Sequence, residues 1–276
     1  MVVTASLKHT DIEQLLPVFN EAFSDYDVPV SMTLAALQAH LQSLSYTNED
    51  SVGLFEKRDL VGFLLIGRRG NTAYDAGTGI IPSYRGKGLS HILIDDTIGH
   101  LRSRGCTTFV LEVLDTNTKA KNLYLSHGFA IRRSLLCFTV KQEELTGRSD
   151  LILENHDKGY IVPASFEPSY QNSDESVAEG AYTCSDIMEK GVRKGFVWYH
   201  PNRGLIAQIN IEPEYRDVDL LKQAIISCTM ACTTQSVRML NVDHGDDLTI
   251  KALQEVGFSN FTTQSEMVLT LSESQI

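Results

Sequence analysis

The chain has 276 residues, of which 42% are hydrophobic and 21% charged, with a formal net charge of -11 and a pI near 5.2. That length suits two domains with real cores, and the acidic balance argues against a protein that grips nucleic acid or an anionic membrane through clustered Lys and Arg. No run of about 18 apolar residues and no basic-then-apolar leader is present, so the expectation is a cytoplasmic protein. The five cysteines, Cys106, Cys137, Cys184, Cys228 and Cys232, are odd in number and scattered, as reduced thiols are. Cys228 and Cys232 stand one helical turn apart, but no nearby Cys or His completes a metal set, and no metal is expected.

In chain order, Asp11 to Phe23 carries Ile12, Leu15, Leu16, Phe19 and Phe23 at helical spacing, and a second helix is predicted from Thr33 to Leu44. Ser51 to Glu56, Leu60 to Arg68 and the segment from Tyr74 read as three strands in hairpin succession, hence antiparallel. The third strand stops at Pro82. A short basic turn, Tyr84-Arg85-Gly86-Lys87-Gly88, leads into a helix from Leu89 to His100. Thr107 to Leu114 is a β-branched run reached through that helix, which makes it a parallel neighbour of the Tyr74 strand. Lys119 to Ser126 is a short helix, and Ala130 to Val140 is expected to be a final strand pair.

The turn at Gly86 and Gly88 is a cradle for an anion. Glycine lets the backbone bend tightly and come close to a ligand, the first free N–H groups of the following helix point into the turn, and the helix dipole favours negative charge there. Two familiar phosphate loops are excluded by spacing: a Walker loop would need Gly where Ile81 stands and Ser or Thr where Gly88 stands, and a dinucleotide fingerprint from Gly77 and Gly79 would need a small residue at Pro82.

What fits is the R-x-x-G-x-G/A loop of the GNAT N-acetyltransferases, which this region resembles through Pro82, Tyr84, Arg85, Gly86, Lys87, Gly88 and Leu89, with Ser90 in place of the usual Gly or Ala. Leu111-Glu112-Val113, Asn117, Ala120, Leu123-Tyr124 and Gly128-Phe129 then follow at that family's spacing. The resemblance implies an α/β fold with a mixed, mostly antiparallel twisted sheet whose central parallel pair, ending at Ile81 and Val113, splays to admit the pantetheine arm of acetyl-CoA. Backbone of Thr78, Gly79 and Ile80 would bond that arm, and Asn117 would bond it or fix its own loop. The backbone N–H groups of Gly86, Lys87, Gly88, Leu89, Ser90 and His91 would hold the diphosphate, with the positive charge of Arg85 and Lys87 beside it. Tyr124 would be the general acid toward the departing thiolate. Asp75, with Glu112 as the alternative, would take the proton of the amine, and the first inter-helix connection, with Asp25, Tyr26 and Asp27, would border the acceptor.

After a polar junction from Glu143 to Asn155 the pattern recurs. Gly195 to His200 echoes Gly62 to Gly67, Ile211 to Arg216 echoes Ile80 to Arg85, and Leu253 to Phe258 echoes Tyr124 to Phe129. The interval from proline to phenylalanine is 47 positions in the first copy and 45 in the second. The chain therefore resembles a tandem GNAT protein of the bacterial type. The expected division is residues 1–145, an acetyl-CoA-binding catalytic domain, and residues 146–276, a degenerate copy that is structural or shapes the acceptor site. In that copy Asp217, Val218 and Asp219 replace Gly86, Lys87 and Gly88, Leu253 replaces Tyr124, and Asp246 replaces Asn117. The expected activity is acetyl transfer to a primary amine of a small molecule or peptide, the rival reading being a silent acyl-CoA sensor or scaffold. Acceptor identity and oligomeric state stay open at this point.

Overall fold

A computed structural model describes residues 1–25 and 31–271. The chain forms two compact units: the first comprises Met1–Val113, Asn117–Arg132 and the segment from Glu266 onward, and the second comprises Leu114–Thr116 and Arg133–Ser265.

The first unit opens with β1 (Val2–Ser6), α1 (Ile12–Ala22) and α2 (Leu34–Ser43). Gln14 Oε1 accepts from the Asp11 N–H at the start of α1, and Thr33 Oγ1 accepts from the Ala36 N–H at the start of α2, so each helix begins where a side chain meets an orphan donor. The hairpins β2 (Tyr46–Glu56), β3 (Asp59–Arg69) and β4 (Thr72–Ile80) are antiparallel, as their succession predicts. β2 starts five residues before the predicted Ser51, because Asp50 is buried against Arg68 and Arg104, whose charges a periodicity argument does not see. Then come α3 (Leu89–Ser103), β5 (Thr108–Leu114) and α4 (Thr118–Ser126). β4 and β5 are parallel neighbours, paired at Thr72 with Thr108, Ala73 with Phe109 and Tyr74 with Val110.

Ala130 to Val140 is one strand rather than the expected pair. β6 (Ala130–Lys141) contains neither Gly nor Pro to turn it, and from Leu135 it pairs antiparallel with β11 (Ser236–Asp243) of the second unit, of which it is mostly a part. With one helix where the first unit has two, the second unit otherwise repeats the element order of the first: β7 (Ile152–Asn155), α5 (Asp174–Glu179), β8 (Thr183–Glu189), β9 (Val192–His200), β10 (Leu205–Ile211), α6 (Val218–Ala231), β11, α7 (Asp247–Glu255) and β12 (Ser259–Thr270). The parallel β10–β11 pair holds at Leu205 with Arg238 and Ile206 with Met239.

The last strand crosses a boundary of its own. β12 begins in the second unit and ends in the first, where Met267, Leu269 and Leu271 complete a core of Leu64, Ile66, Leu93, Phe109 and Leu111. The second core gathers Phe138, Val140, Val197, Leu221, Ile225 and Leu253.

Candidate active site

β4 ends at Pro82, which opens a single 3-10 turn, Pro82–Tyr84, before Arg85. Gly86 and Gly88 both have φ +73°, in the left-handed region, and Gly88 is the residue that precedes the first turn of α3 without a side-chain cap. A Cβ on either would meet nothing within 4 Å. The demand for glycine is thus one of backbone conformation, worth about 1–2 kcal/mol per residue, and the space beside the helix start stays open. An open cleft of about 660 Å³ follows from there along Ser90, His91, Asn117, Lys119, Ala120 and Leu123.

The residues around the cradle are not all disposed as expected. Arg85 turns toward the end of α1: its guanidinium donates to Ile80 O at 2.8 Å, to Ala22 O at 2.6 Å and to Asp25 at 2.6 Å, and its own N–H bonds Pro82 O. It is a strap between the turn and α1, and Asp25, expected near the acceptor, is its ion partner, with a carboxyl held below the ordinary range by that bond. Tyr26 and Asp27 lie outside the described residues. Lys87 folds back onto its own turn, donating to Ser83 O and lying 4.7 Å over the Tyr84 ring. The His91 N–H bonds Gly88 O at 3.2 Å, so among the described residues the N–H groups that remain for an anion are those of Gly86, Lys87, Gly88, Leu89 and Ser90; the His91 ring lies 5.1 Å from that of His127.

Beyond Tyr74 and Val110 the two parallel strands part, immediately before a bulge at Ala76 that re-aims the strand. Thr78, Gly79 and Ile80 remain bonded to β3 on one side while their other edge borders the fork. Asn117 lies at the cleft and caps α4, its Oδ1 accepting from the Ala120 N–H at 3.1 Å.

Tyr124 is buried on α4, with its ring edge-on to Phe129 and its hydroxyl donating to Asp75 Oδ2 at 2.9 Å. Thr78 Oγ1 donates to the same oxygen at 2.7 Å, and the Gly77 N–H donates to Oδ1 at 2.9 Å. Burial pushes the Asp75 carboxyl above its ordinary range, against those three donors. Glu112, the alternative base, is bonded to the Tyr74 hydroxyl. Sequence reasoning singled out Asp75 and Tyr124 separately and missed both Thr78 as their neighbour and Tyr74 as the partner of Glu112. The only signal was the alternation of β4, which the bulge at Ala76 interrupts.

Residues 12–129 match the family model described as Acetyltransferase (GNAT) family. Over those residues the first unit is similar to a GNAT acetyltransferase domain. We find no match to the chain among curated proteins. Solved structures share the fold over its whole length. A tandem GNAT protein from the clavulanic acid biosynthesis pathway superposes with a TM-score of 0.69 at 11% identity, covering 100% of both chains. A GCN5-related N-acetyltransferase from Sphaerobacter thermophilus does so with a TM-score of 0.68 at 12% identity, covering 98% of this chain and 96% of that one. The chain is thus two GNAT-like folds in tandem.

The second GNAT-like unit differs at its helix start and in its fork. Asp217 caps α6 with its own carboxylate, which accepts from the Leu220 N–H at 2.8 Å, and its φ is −132°. Arg216, the counterpart of Arg85, donates to both oxygens of Asp246 at 2.8 Å and so ties the start of α6 to the start of α7. Only about 70 Å³ of space is left in the fork, lined by Phe166, Pro168, Gln208, Asn210 and Arg216 among others. The unit's own chain takes up the fork's polar groups: Asn172 Nδ2 donates to Leu240 O at 2.8 Å, Gln208 donates to Asn172 O, and Asn241 donates to Ser169. Among the described residues no group of three or more His, Cys, Asp or Glu could hold a metal, and no helix is long and apolar enough to cross a membrane.

Proposed function

We propose that the first unit moves an acetyl group from acetyl-CoA to a primary amine of a small molecule or peptide, and that the second unit is structural or shapes the acceptor site without binding acyl-CoA. The observation that carries this reading is a left-handed glycine pair at an uncapped helix start, beside an open cleft, in the first unit alone. The N–H groups of Gly86, Lys87, Gly88, Leu89 and Ser90 would hold the diphosphate, where the helix dipole favours it. The free edge of Thr78, Gly79 and Ile80 would bond the pantetheine amides and polarise the thioester carbonyl. The donor supplies an acetyl group already activated as a thioester.

Tyr124 stands at the base of the fork, where a phenol can protonate a departing thiolate as charge develops. Asp217 and the Arg216–Asp246 bridge set the second unit apart, since a carboxylate occupies the helix start that an anion would need. Isothermal titration with acetyl-CoA, followed by thiol release with a panel of amines, tests the reading. One binding event per chain and amine-dependent thiol release are expected. Binding without release from any amine would favour a silent acyl-CoA sensor, and no binding would end the proposal.

A further inference from the structure

Tyr124 and Asp75 come from a helix and a strand 49 positions apart and meet at 2.9 Å. A hydrogen lying between a phenol and a carboxyl group belongs to the phenol when the carboxyl is ionised. When the carboxyl is neutral it can supply that hydrogen itself, and the phenol is then able to turn its own hydrogen toward the fork. The second unit loses both groups together. Ile206, which like Asp75 directly precedes the strand bulge, and Leu253, the counterpart of Tyr124, are both fully buried apolar residues there. Neither polar partner is kept alone, as expected of two groups that act as one.

We propose that Asp75 is the proton reserve of Tyr124, so that two protons move along one chain while the thioester is cleaved; this rests on the acetyl-transfer reading above. The amine lone pair forms the carbon–nitrogen bond, and the carbon–sulfur bond breaks with its electron pair on sulfur. The phenolic proton of Tyr124 goes to sulfur, and the carboxyl proton of Asp75 goes to the phenolate oxygen. The proton that nitrogen sheds on becoming an amide returns to the Asp75 carboxylate. The pair ends as it began and no further reactant is consumed. Burial acts on Asp75 in the direction a reserve requires, by favouring its neutral form. Of the titratable groups on the elements packed around it, Tyr124 faces it from α4 and Glu112 on β5 is bonded to Tyr74, while β3 presents the apolar Ile66 opposite it.

Asp75→Asn keeps a donor beside the Tyr124 oxygen but has no proton to pass on. Its kcat should fall by about 10²-fold, the lower end of what a positioned acid or base contributes, with the Kd for acetyl-CoA within about twofold of the parent. The proton inventory of kcat in mixed light and heavy water should be bowed for the parent and linear for the variant. A kcat within about threefold of the parent with the bow intact, or a Kd that weakens in step with kcat, overturns the proposal. A second arm needs no turnover. In carbon-13 spectra of protein labelled at aspartate carboxyls, the resonance missing from Asp75→Asn should titrate above the ordinary carboxylate range, and higher still in Tyr124→Phe, which removes a donor to the carboxylate. Titration in the ordinary range, unmoved by Tyr124→Phe, sinks the relay even if amines are acetylated. If the titration holds but no amine is turned over, the transfer reading falls and takes the relay with it.

Discussion

Replacing Gly88 by Asp imitates, in the first unit, the residue that the second unit carries at its helix start. Two consequences follow from the geometry. The backbone there has φ +73°, so any side chain costs about 1–2 kcal/mol of stability, although Asp tolerates this region better than most. The carboxylate would also stand where the diphosphate is held. Two like charges about 4 Å apart at an effective dielectric of about 20 repel by about 4 kcal/mol. The site is open to solvent, and screening at physiological salt leaves about half of that. A loss of about 2 kcal/mol is about 30-fold in Kd. Gly88→Ala separates the two effects, because its methyl group meets nothing within 4 Å: it should lower the melting temperature but change the Kd by less than about threefold. Isothermal titration with acetyl-CoA at low and at physiological salt measures both variants, and the Asp penalty should shrink as salt rises. Equal affinities for Gly88→Asp and the parent, or an Ala variant as weak as the Asp variant, would refute the electrostatic reading of the cradle.

Tyr124→Phe should lower kcat by about 10²-fold while leaving the acetyl-CoA Kd unchanged, as steady-state kinetics and calorimetry together will show. Asp217→Ala removes the carboxylate that caps α6 and should cost about 1 kcal/mol in denaturant melts; the Arg216–Asp246 bridge stays, so no second acetyl-CoA site should open in calorimetry. Asp75 also predicts a pH effect on stability. Burial makes the folded carboxyl hold its proton more tightly than the unfolded one, so the parent loses stability as pH rises from the ordinary carboxylate range to the raised folded value. Asp75→Asn has no such loss, and its melting temperature relative to the parent should be higher at pH 7 than at pH 4; an equal difference at both values contradicts the sign.

The features legible in the sequence were those written locally. The glycine turn, the helix behind it and the parallel strand after that helix are each set by residues within a few positions of one another, and the second copy is read from Gly195 to His200 and Ile211 to Arg216, which echo Gly62 to Gly67 and Ile80 to Arg85. What escaped depends on elements distant in sequence. The Asp75–Tyr124 contact needs β4 and α4 placed side by side, and a bulge at Ala76 breaks the alternation that would have aimed Asp75. Arg85 was read as cationic lining for a phosphate, because nothing local tells that its guanidinium reaches Ala22 O and Asp25. The start of β2 was lost among Asn48, Glu49 and Asp50, and the burial of Asp50 becomes tolerable only through Arg68 and Arg104. The segment that fills the second fork, around Ser169 and Asn172, carries no periodic signal and is recognised by its bonds to β11.

Because Met267, Leu269 and Leu271 pack among residues such as Leu64, Leu93, Phe109 and Leu111, the first unit lacks part of its interior until synthesis has passed them. Its maturation then has to await Leu271, and a fragment cut near residue 145 would expose Phe109 and Leu111 on the side that β12 should cover. The second unit is in this sense the carrier that delivers the missing piece.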